Sequence, residues 1–387
     1  MAGFESIAKA LLTSTALVLA NDCPSRVKMA AKLAKYVYGS RIQVCDGVAD
    51  DVEIAIALSA LPDFTGDPAG TKTGRVIVLG HVINLASQLV LGPFHDAVFD
   101  ARDVAFTGAG IKIDSIMDAW IYLGVVGGST GQIALDFKPT TTGPDNFIIA
   151  NDSRIYISAI AGETSPLSGS VGLRAYALSG TIQRMLLDIG VIWGFEKLIH
   201  SPNPGGGKSF DRNVIKVRGL YTGTTAVQDG DAGAGGHTFN HYELSLADEL
   251  TNGVMIYGDD SYYLIKSVTG PAAANALILQ SGATRNTIVS PPLAGYTDNS
   301  GNTTNRIIAP NFQISGTATI TAAATTVVVT HGLAATPTRV FVSPTLLSSS
   351  NKWWVTTIGA TTFTINVDVV PGAGTAIFDW RAQVGEG

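Results

Sequence analysis

The chain has 387 residues, a formal net charge of −6, 14% charged side chains and 46% hydrophobic ones. A soluble protein usually carries about 25% charged residues, so a composition this apolar implies side-chain surface hidden twice, in a core and against copies of itself: an obligate oligomer. The acidic balance disfavours a nucleic-acid partner, which requires a basic patch, and no apolar run reaches the ~18 residues of a membrane span. Cys23 and Cys45 are too few for a metal cluster or a disulfide framework; two buried thiols or one local disulfide remain open.

Residues 10–20 (ALLTSTALVLA) read like a signal-peptide core, but Glu5 accompanies Lys9 ahead of them, so a helix or strand packed within the oligomer is expected instead. Residues 24–37 have helical spacing, with Val27, Ala30, Leu33 and Val37 on one stripe. A second helix is expected at 49–60, with Asp50 and Asp51 capping it and opposing its dipole. GRVIVLGHVINLASQLVL then reads as strand, turn, strand, alternating from Val76.

The middle of the chain repeats. Short β-branched runs begin at Val191, Val214, Phe239, Tyr262 and Asn286, with starts 23, 25, 23 and 24 residues apart. Each is too short for a helix and suits a pleated strand. The turns between them carry Gly, Asn and Asp. A period in this range points to stacked repeats, and stacked strands of this length make a parallel β-helix. From about 312 the pattern shifts to five alternating strands with short turns, which suggests a small antiparallel sandwich.

Three segments carry a specific resemblance. CDGVADDVEIAIALSALP, GRVIVLGHVINLASQLVLG and FDARDVAFTGAG together resemble the entry to the pectate-lyase-like right-handed β-helix common in phage tailspikes and tail fibres. The match covers residues 44–110 well; from 110 to 310 the repeat alone carries it. HGLAATPTRVFVSP, with Trp353 and Trp354 followed by TTFTINVDV, resembles a C-terminal tail-fibre module. The resemblance implies an all-β chain at the virion surface or outside the cell. It implies a segment with a helical cap over 1–62, a right-handed parallel β-helix over 63–311 and a small C-terminal antiparallel β-sandwich over 312–387. It also implies a homotrimer whose partner is a polysaccharide. It fixes no chemistry, because the same entry serves lyases, hydrolases and inert fibres.

The sharpest chemical candidate is HTFNHYELSL. Alternation puts Asn240, Tyr242, Leu244 and Leu246 on one face and His237, Phe239, His241 and Glu243 on the other. The leucines want the core, so the histidines and Glu243 are expected outside. One coil earlier, VIKVRG turns Lys216 and Arg218 outward, about 4.8 Å away. Lys216, Arg218, His241 and Glu243 are thus expected in one patch suited to β-elimination on a uronic-acid polymer. A cation neutralises the substrate carboxylate and acidifies the adjacent C–H; His241, or a cation-lowered Tyr242 or Lys216, removes the proton. His237, Tyr221 and Tyr257 are expected to bind substrate. The competing expectation is a solvated flank of a non-catalytic, adhesive fibre.

A glycoside hydrolase would instead need two carboxylates at a defined separation. The candidates are Asp188, Glu196, Asp211, Glu243, Asp248, Glu249, Asp259 and Asp260, of which the adjacent pairs suit turns. Trp120, Tyr122, Tyr156, Tyr176, Trp193, Tyr221, Tyr242, Tyr257, Tyr262 and Tyr263 offer sugar-stacking platforms or, for most of them, an internal aromatic ladder, with Tyr221 and Tyr257 beside turns and better placed to bind. A further ligand site is conceivable around Trp353, Trp354 and Trp380. No metal and no cofactor is expected: there is no H-E-x-x-H spacing and no G-x-S-x-G elbow.

Overall fold

The computed structural model describes residues 15–384, apart from 39–40, 66, 68–69, 129–130, 141–148, 166, 177–180, 203–208, 233–236, 247–249, 269–274, 294, 302–303, 311, 334, 348–351 and 373. Among these residues strands predominate, and two helices occur, α1 at Ser25–Tyr38 and α2 at Asp50–Ser59. A 24-stranded sheet runs from Thr15–Leu19 to Arg306–Ile308, and its strand pairs are parallel.

The register builds columns through this stack. Val98, Trp120, Arg154, Leu186, Val214, His241, Tyr262, Thr287 and Arg306 pair successively. The next residue of each strand points the opposite way, as the pleat requires. That places Phe99, Ile121, Ile155, Leu187, Ile215, Tyr242, Tyr263 and Ile288 in one buried column.

The layers are unevenly spaced. Residues bonded from one corner to the next are separated by 34 positions at Ala119–Ser153 and by 28, 27, 21, 25 and 19 positions from Met185 to Asn305. The even spacing of the run starts is therefore not the register: Val191 pairs with Gly219, not with Val214. The runs mark β-branched density, whereas the strands Leu186–Ser201 and Val214–Asp229 are 16 residues each and extend well past it.

A recurrent corner sets the register. Asp118, Asp152, Arg184, Arg212, Phe239, Asp260 and Arg285 all have φ between 50° and 57°. This left-handed conformation costs a non-glycine residue roughly 1–2 kcal/mol, and it persists where the surroundings over-determine it. The following residue supplies that constraint. The side-chain oxygens of Asn213, Asn240, Asn286 and Asn305 accept the N–H of Met185, Asn213, Ser261 and Asn286 respectively. Their amide nitrogens donate to the carbonyls of Ile182, Phe210, Gly258 and Ala283. The hydroxyls of Ser153 and Ser261 do the same for Ala119 and Asn240. The corner amides of Ala119, Met185, Asn213, Asn240, Ser261 and Asn286 thus find partners, as burial demands.

At the N-terminal end, Thr15–Leu19 is a buried strand that pairs in parallel with Ile42–Val44 and Lys72–Leu79. Alternation along it separates the helices. Leu17 and Leu19 pack with Ile42 against Ala31 and Ala34 of α1, while Ala16 and Val18 pack with Ile54, Ala57 and Leu58 of α2. Two expectations need correction here. The buried stripe of α1 runs through Ala31 and Ala34, so Leu33 faces out; the side chain of Val37 lies outside the described residues. Asp50 and Asp51 do not cap their own helix, whose N-cap is Ala49. Instead Asp50 accepts the N–H of Gly47 and Asn84, and Asp51 accepts the N–H of Ala86 and the Ser87 hydroxyl, tying α2 to the next strand. Cys23 and Cys45 are free and buried.

The C-terminal strands are antiparallel. Gln313–Ile320, Ala376–Gln383 and Arg339–Leu346 form one three-stranded sheet; Thr326–Thr330, Thr362–Val367 and Trp353–Thr356 form another. Phe363 and Trp380 meet edge to face between them, with centroids 5.3 Å apart. Trp380 is therefore a core residue, whereas Trp353 and Trp354 are exposed.

Candidate functional site

The outward residues of the first strand in each layer form a polar strip. Register places Tyr122 beside Tyr156, Tyr156 beside Asp188, Asp188 beside Lys216 and Lys216 beside Glu243. The tyrosine rings of 122 and 156 stack at 5.2 Å and 9°. The Arg102 guanidinium covers Tyr122 at 4.5 Å, and Arg154 covers Trp120 at 4.9 Å. The rings stack along the column, so their edges and hydroxyls, not their faces, meet solvent. A shallow depression of about 220 Å³ lies here, lined by Arg102, Tyr122, Tyr156, Ser158, Asp188 and Arg218.

Further along, Glu243 is gripped by two lysines. Lys266 Nζ lies 2.6 Å and Lys216 Nζ 2.9 Å from its carboxylate. Hydrogen bonds from Lys266 and Lys216 hold its pKa down to about 2. His241 stands over the edge of Tyr262, with centroids 4.8 Å apart. Its Nε2 is 3.7 Å from Glu243, beyond hydrogen-bond range. Burial lowers the His241 pKa and outweighs the pull of Glu243, with Lys216 and Lys266 adding to the depression. His241 is thus a neutral imidazole near pH 7.

The expected patch is assembled in part. Lys216, His241 and Glu243 come together. Arg218 instead reaches back one layer to Asp188 at 2.6 Å. A Cβ on Gly219 would collide with the Tyr221 ring. Tyr221 therefore lies over Gly219, next to Arg218, and is exposed.

Three expected residues are elsewhere. Tyr242 is fully buried, stacked on Tyr263 at 4.8 Å and 1°, and its pKa is raised well above the usual phenol range by burial and then Asp229. It cannot act as a base. His237 is 3% exposed, and its Nε2 lies 3.0 Å from the Ser201 carbonyl. It was expected on the outer face; the left-handed φ of Phe239 breaks the alternation between it and His241. Tyr257 is half-buried in a different region, where burial and Asp231 raise its pKa. Asp231 itself holds His200 at 3.0 Å.

Among the described residues, several carboxylate candidates are held by other groups, and Asp211 is buried. Asp259 accepts the N–H and hydroxyl of Thr284, Asp260 pairs with Arg285, and Glu196 accepts the N–H of Gly169. Asp248 and Glu249 lie outside the described residues. Sequence reasoning missed Arg102, Arg154 and Lys266. Their signal was available: each sits an even number of positions from an outward residue of its strand, once the register is known.

Among the described residues, Cys45, Asp50 and Glu53 bring donor atoms within 4.8 Å of one another. Burial, then Asp50, Glu53 and Asp46, push the Cys45 thiol far up. No described helix is long and apolar enough to cross a membrane. Compared with known proteins, the chain matches no family model and no curated protein.

Proposed function

We propose that the parallel stack is a right-handed β-helix of the pectate-lyase-like kind, closed at its start by α2, and that the chain is a tailspike-like protein of the virion surface. In this reading a homotrimer recognises a polysaccharide along the strip from Arg102 to Lys266. Parallel strand connections are right-handed almost without exception, and α2 lays Ile54, Ala57 and Leu58 on the first layers, as a lid over an open β-helix end would.

One observation carries the recognition reading. On a chain of net charge −6, the strip gathers Arg102, Arg154, Lys216, Arg218 and Lys266 against Asp100, Asp188 and Glu243, interleaved with Trp120, Tyr122, Tyr156 and Tyr262. Guanidinium forks and phenol edges facing solvent suit the carboxylates and hydroxyls of an acidic glycan. Arg102→Ala or Arg218→Ala should therefore weaken binding of a uronic-acid polymer by about 10- to 100-fold, since a charge-assisted hydrogen bond contributes about 1.5–3 kcal/mol. Equal binding by both variants and the parent in titration calorimetry would remove the strip from the reading.

A specific observation also favours cleavage by β-elimination. His241 is neutral and its side chain is 41% exposed beside Lys216 and Lys266; Nε2 is buried, so the ring would have to present Nδ1 to the substrate. It would take the proton from the carbon beside the substrate carboxylate as the bond to the neighbouring glycosidic oxygen breaks and that oxygen leaves with a proton from water, while a lysine, released from Glu243, faces the substrate carboxylate. Hydrolysis is less well supported, because Glu243 is held near 2 and cannot be a general acid. His241→Gln should abolish the absorbance of unsaturated chain ends while leaving binding intact. If the parent protein yields no unsaturated ends from a panel of uronic-acid polymers, elimination is abandoned and a non-catalytic adhesive fibre remains.

A further inference from the structure

Beside the strip runs the column of corners through which each layer enters it. On this face a layer offers its corner residue and then every second residue of its first strand. For the layer of Val214–Asp229 these are Arg212, Val214, Lys216 and Arg218: three cations and no acid. The other layers from Val98 to Tyr262 each set a carboxylate at one of these positions, in chain order Asp100, Asp118, Asp152, Asp188, Glu243 and Asp260. Positive charge on this face is therefore concentrated across one layer.

Two of its three cations are held by the layers on either side. Lys216 lies 2.9 Å from Glu243, and Arg218 lies 2.6 Å from Asp188. Arg212 is exposed and has no hydrogen bond or carboxylate partner among the described residues. Its guanidinium stands 5.9 Å from the centroid of the Phe239 ring in the next layer, at the outer limit for a cation over an aromatic face.

Phe239 is itself out of place as a structural residue. The other corners of the column carry Asp or Arg, whereas this one holds an aromatic side chain at φ 57°. A bulky residue rarely adopts that conformation, which asparagine and aspartate tolerate. The side chain is 53% exposed, so burial does not offset the strain. Strain of this kind is found where the residue serves a site. His241 follows two positions on, edge to face with Tyr262, so the Phe239 ring extends the strip sideways from that pair.

We propose that Arg212 and Phe239 form a further subsite for an acidic sugar, beside the cluster of Lys216, His241 and Glu243. The guanidinium donates to the sugar's carboxylate, and the apolar C–H face of the pyranose ring lies on Phe239. An anion here also relieves the mutual repulsion of three like charges in one layer. The subsite rests on the glycan reading of the strip and deepens it: the polymer presents an acidic sugar to the side of the strip as well as along it.

The test is titration calorimetry of the full chain with polygalacturonate, alginate and hyaluronan. Arg212→Gln should weaken binding of the polymer that the parent takes by about tenfold at low salt and by less at high salt. Phe239→Asn should weaken it by about fivefold at either salt, because stacking is not screened. The same change should not lower the denaturant midpoint, because asparagine suits the left-handed corner. Phe239→Tyr should bind like the parent. The subsite is overturned if Arg212→Gln or Phe239→Asn binds as the parent does, or if Phe239→Asn loses affinity together with stability, which would make the ring a structural part of the corner. Arg102→Ala on the same probes separates the two readings. Binding weakened by Arg102→Ala but by neither Arg212→Gln nor Phe239→Asn removes the lateral subsite alone, and a parent that binds none of the three polymers removes both.

Discussion

Asn240→Ala is expected to lower the unfolding free energy by about 3–5 kcal/mol, the largest loss from any single truncation considered for this chain. The Asn240 oxygen accepts the N–H of Asn213 at 3.0 Å and its side-chain amide at 3.2 Å, and the Asn240 nitrogen donates to Phe210 at 2.8 Å. Alanine leaves buried groups unpaired on both sides, at roughly 1–3 kcal/mol each. It also frees the left-handed Phe239 that precedes it, and a freed corner lets the register slip, which would turn His241 and Glu243 away from the strip. Denaturant midpoints of Asn240→Ala and Asn240→Asp measure this. The aspartate keeps the acceptor and loses the donor, so it should fall between alanine and the parent. The exposed Asp152–Arg184 pair at the same kind of corner offers a control. Both partners are solvent-accessible, and pairs of that sort contribute little. If Asn240→Ala costs no more than Arg184→Ala, the asparagine column is not what sets the corners.

That column also explains how far the sequence could be read. The strand class and the outward placement of Lys216, His241 and Glu243 follow from alternation within one run, where the physics is local. The period does not, because the repeat unit is a corner and not a run. Five of the seven corners pair a residue in the left-handed region with a small polar residue after it: Asp152–Ser153, Arg212–Asn213, Phe239–Asn240, Asp260–Ser261 and Arg285–Asn286; at Asp118 and Arg184 the next residue is Ala119 or Met185. These dipeptides stand in the sequence, but their first members share no side-chain chemistry, so hydrophobic periodicity passes over them. The same corner moved His237 indoors. Contacts between layers, such as Arg218 with Asp188 and Lys266 with Glu243, span 30 and 23 residues. They depend on unequal loop lengths, which no local pattern encodes. Tyr242 could have been placed in the core, since it alternates with Leu244 and Leu246; its candidacy as a base conflicted with that alternation.

Asp229→Asn is expected to stabilise the protein increasingly as the pH rises, because burial raises the Asp229 carboxyl and opposes its ionisation in the core. Asp229 is fully buried. Tyr263 donates to its Oδ2 at 2.5 Å, while Oδ1 and the Tyr242 hydroxyl each lack a hydrogen-bond partner. A proton on Oδ1 would let Asp229 donate to the Tyr242 oxygen and satisfy both atoms. Burial raises its pKa from the ordinary 3.8, against smaller opposing effects led by His237. A carboxyl raised by folding binds its proton more tightly in the native state. Its contribution is therefore complete below 3.8 and is lost as the pH climbs through the raised folded value, at about 1.4 kcal/mol per unit. Asparagine fixes the neutral form: its oxygen accepts from Tyr263 and its nitrogen donates to Tyr242. Carboxylates whose pKa is lowered in the fold, among them Glu243 at about 2, act the other way and lose their contribution as the pH falls. The quantity to measure is thus the difference between the unfolding curves of parent and variant from pH 4 to 9. It should start near zero and grow in favour of asparagine. A difference that is constant with pH and favours the parent would mean that Asp229 is ionised in this core.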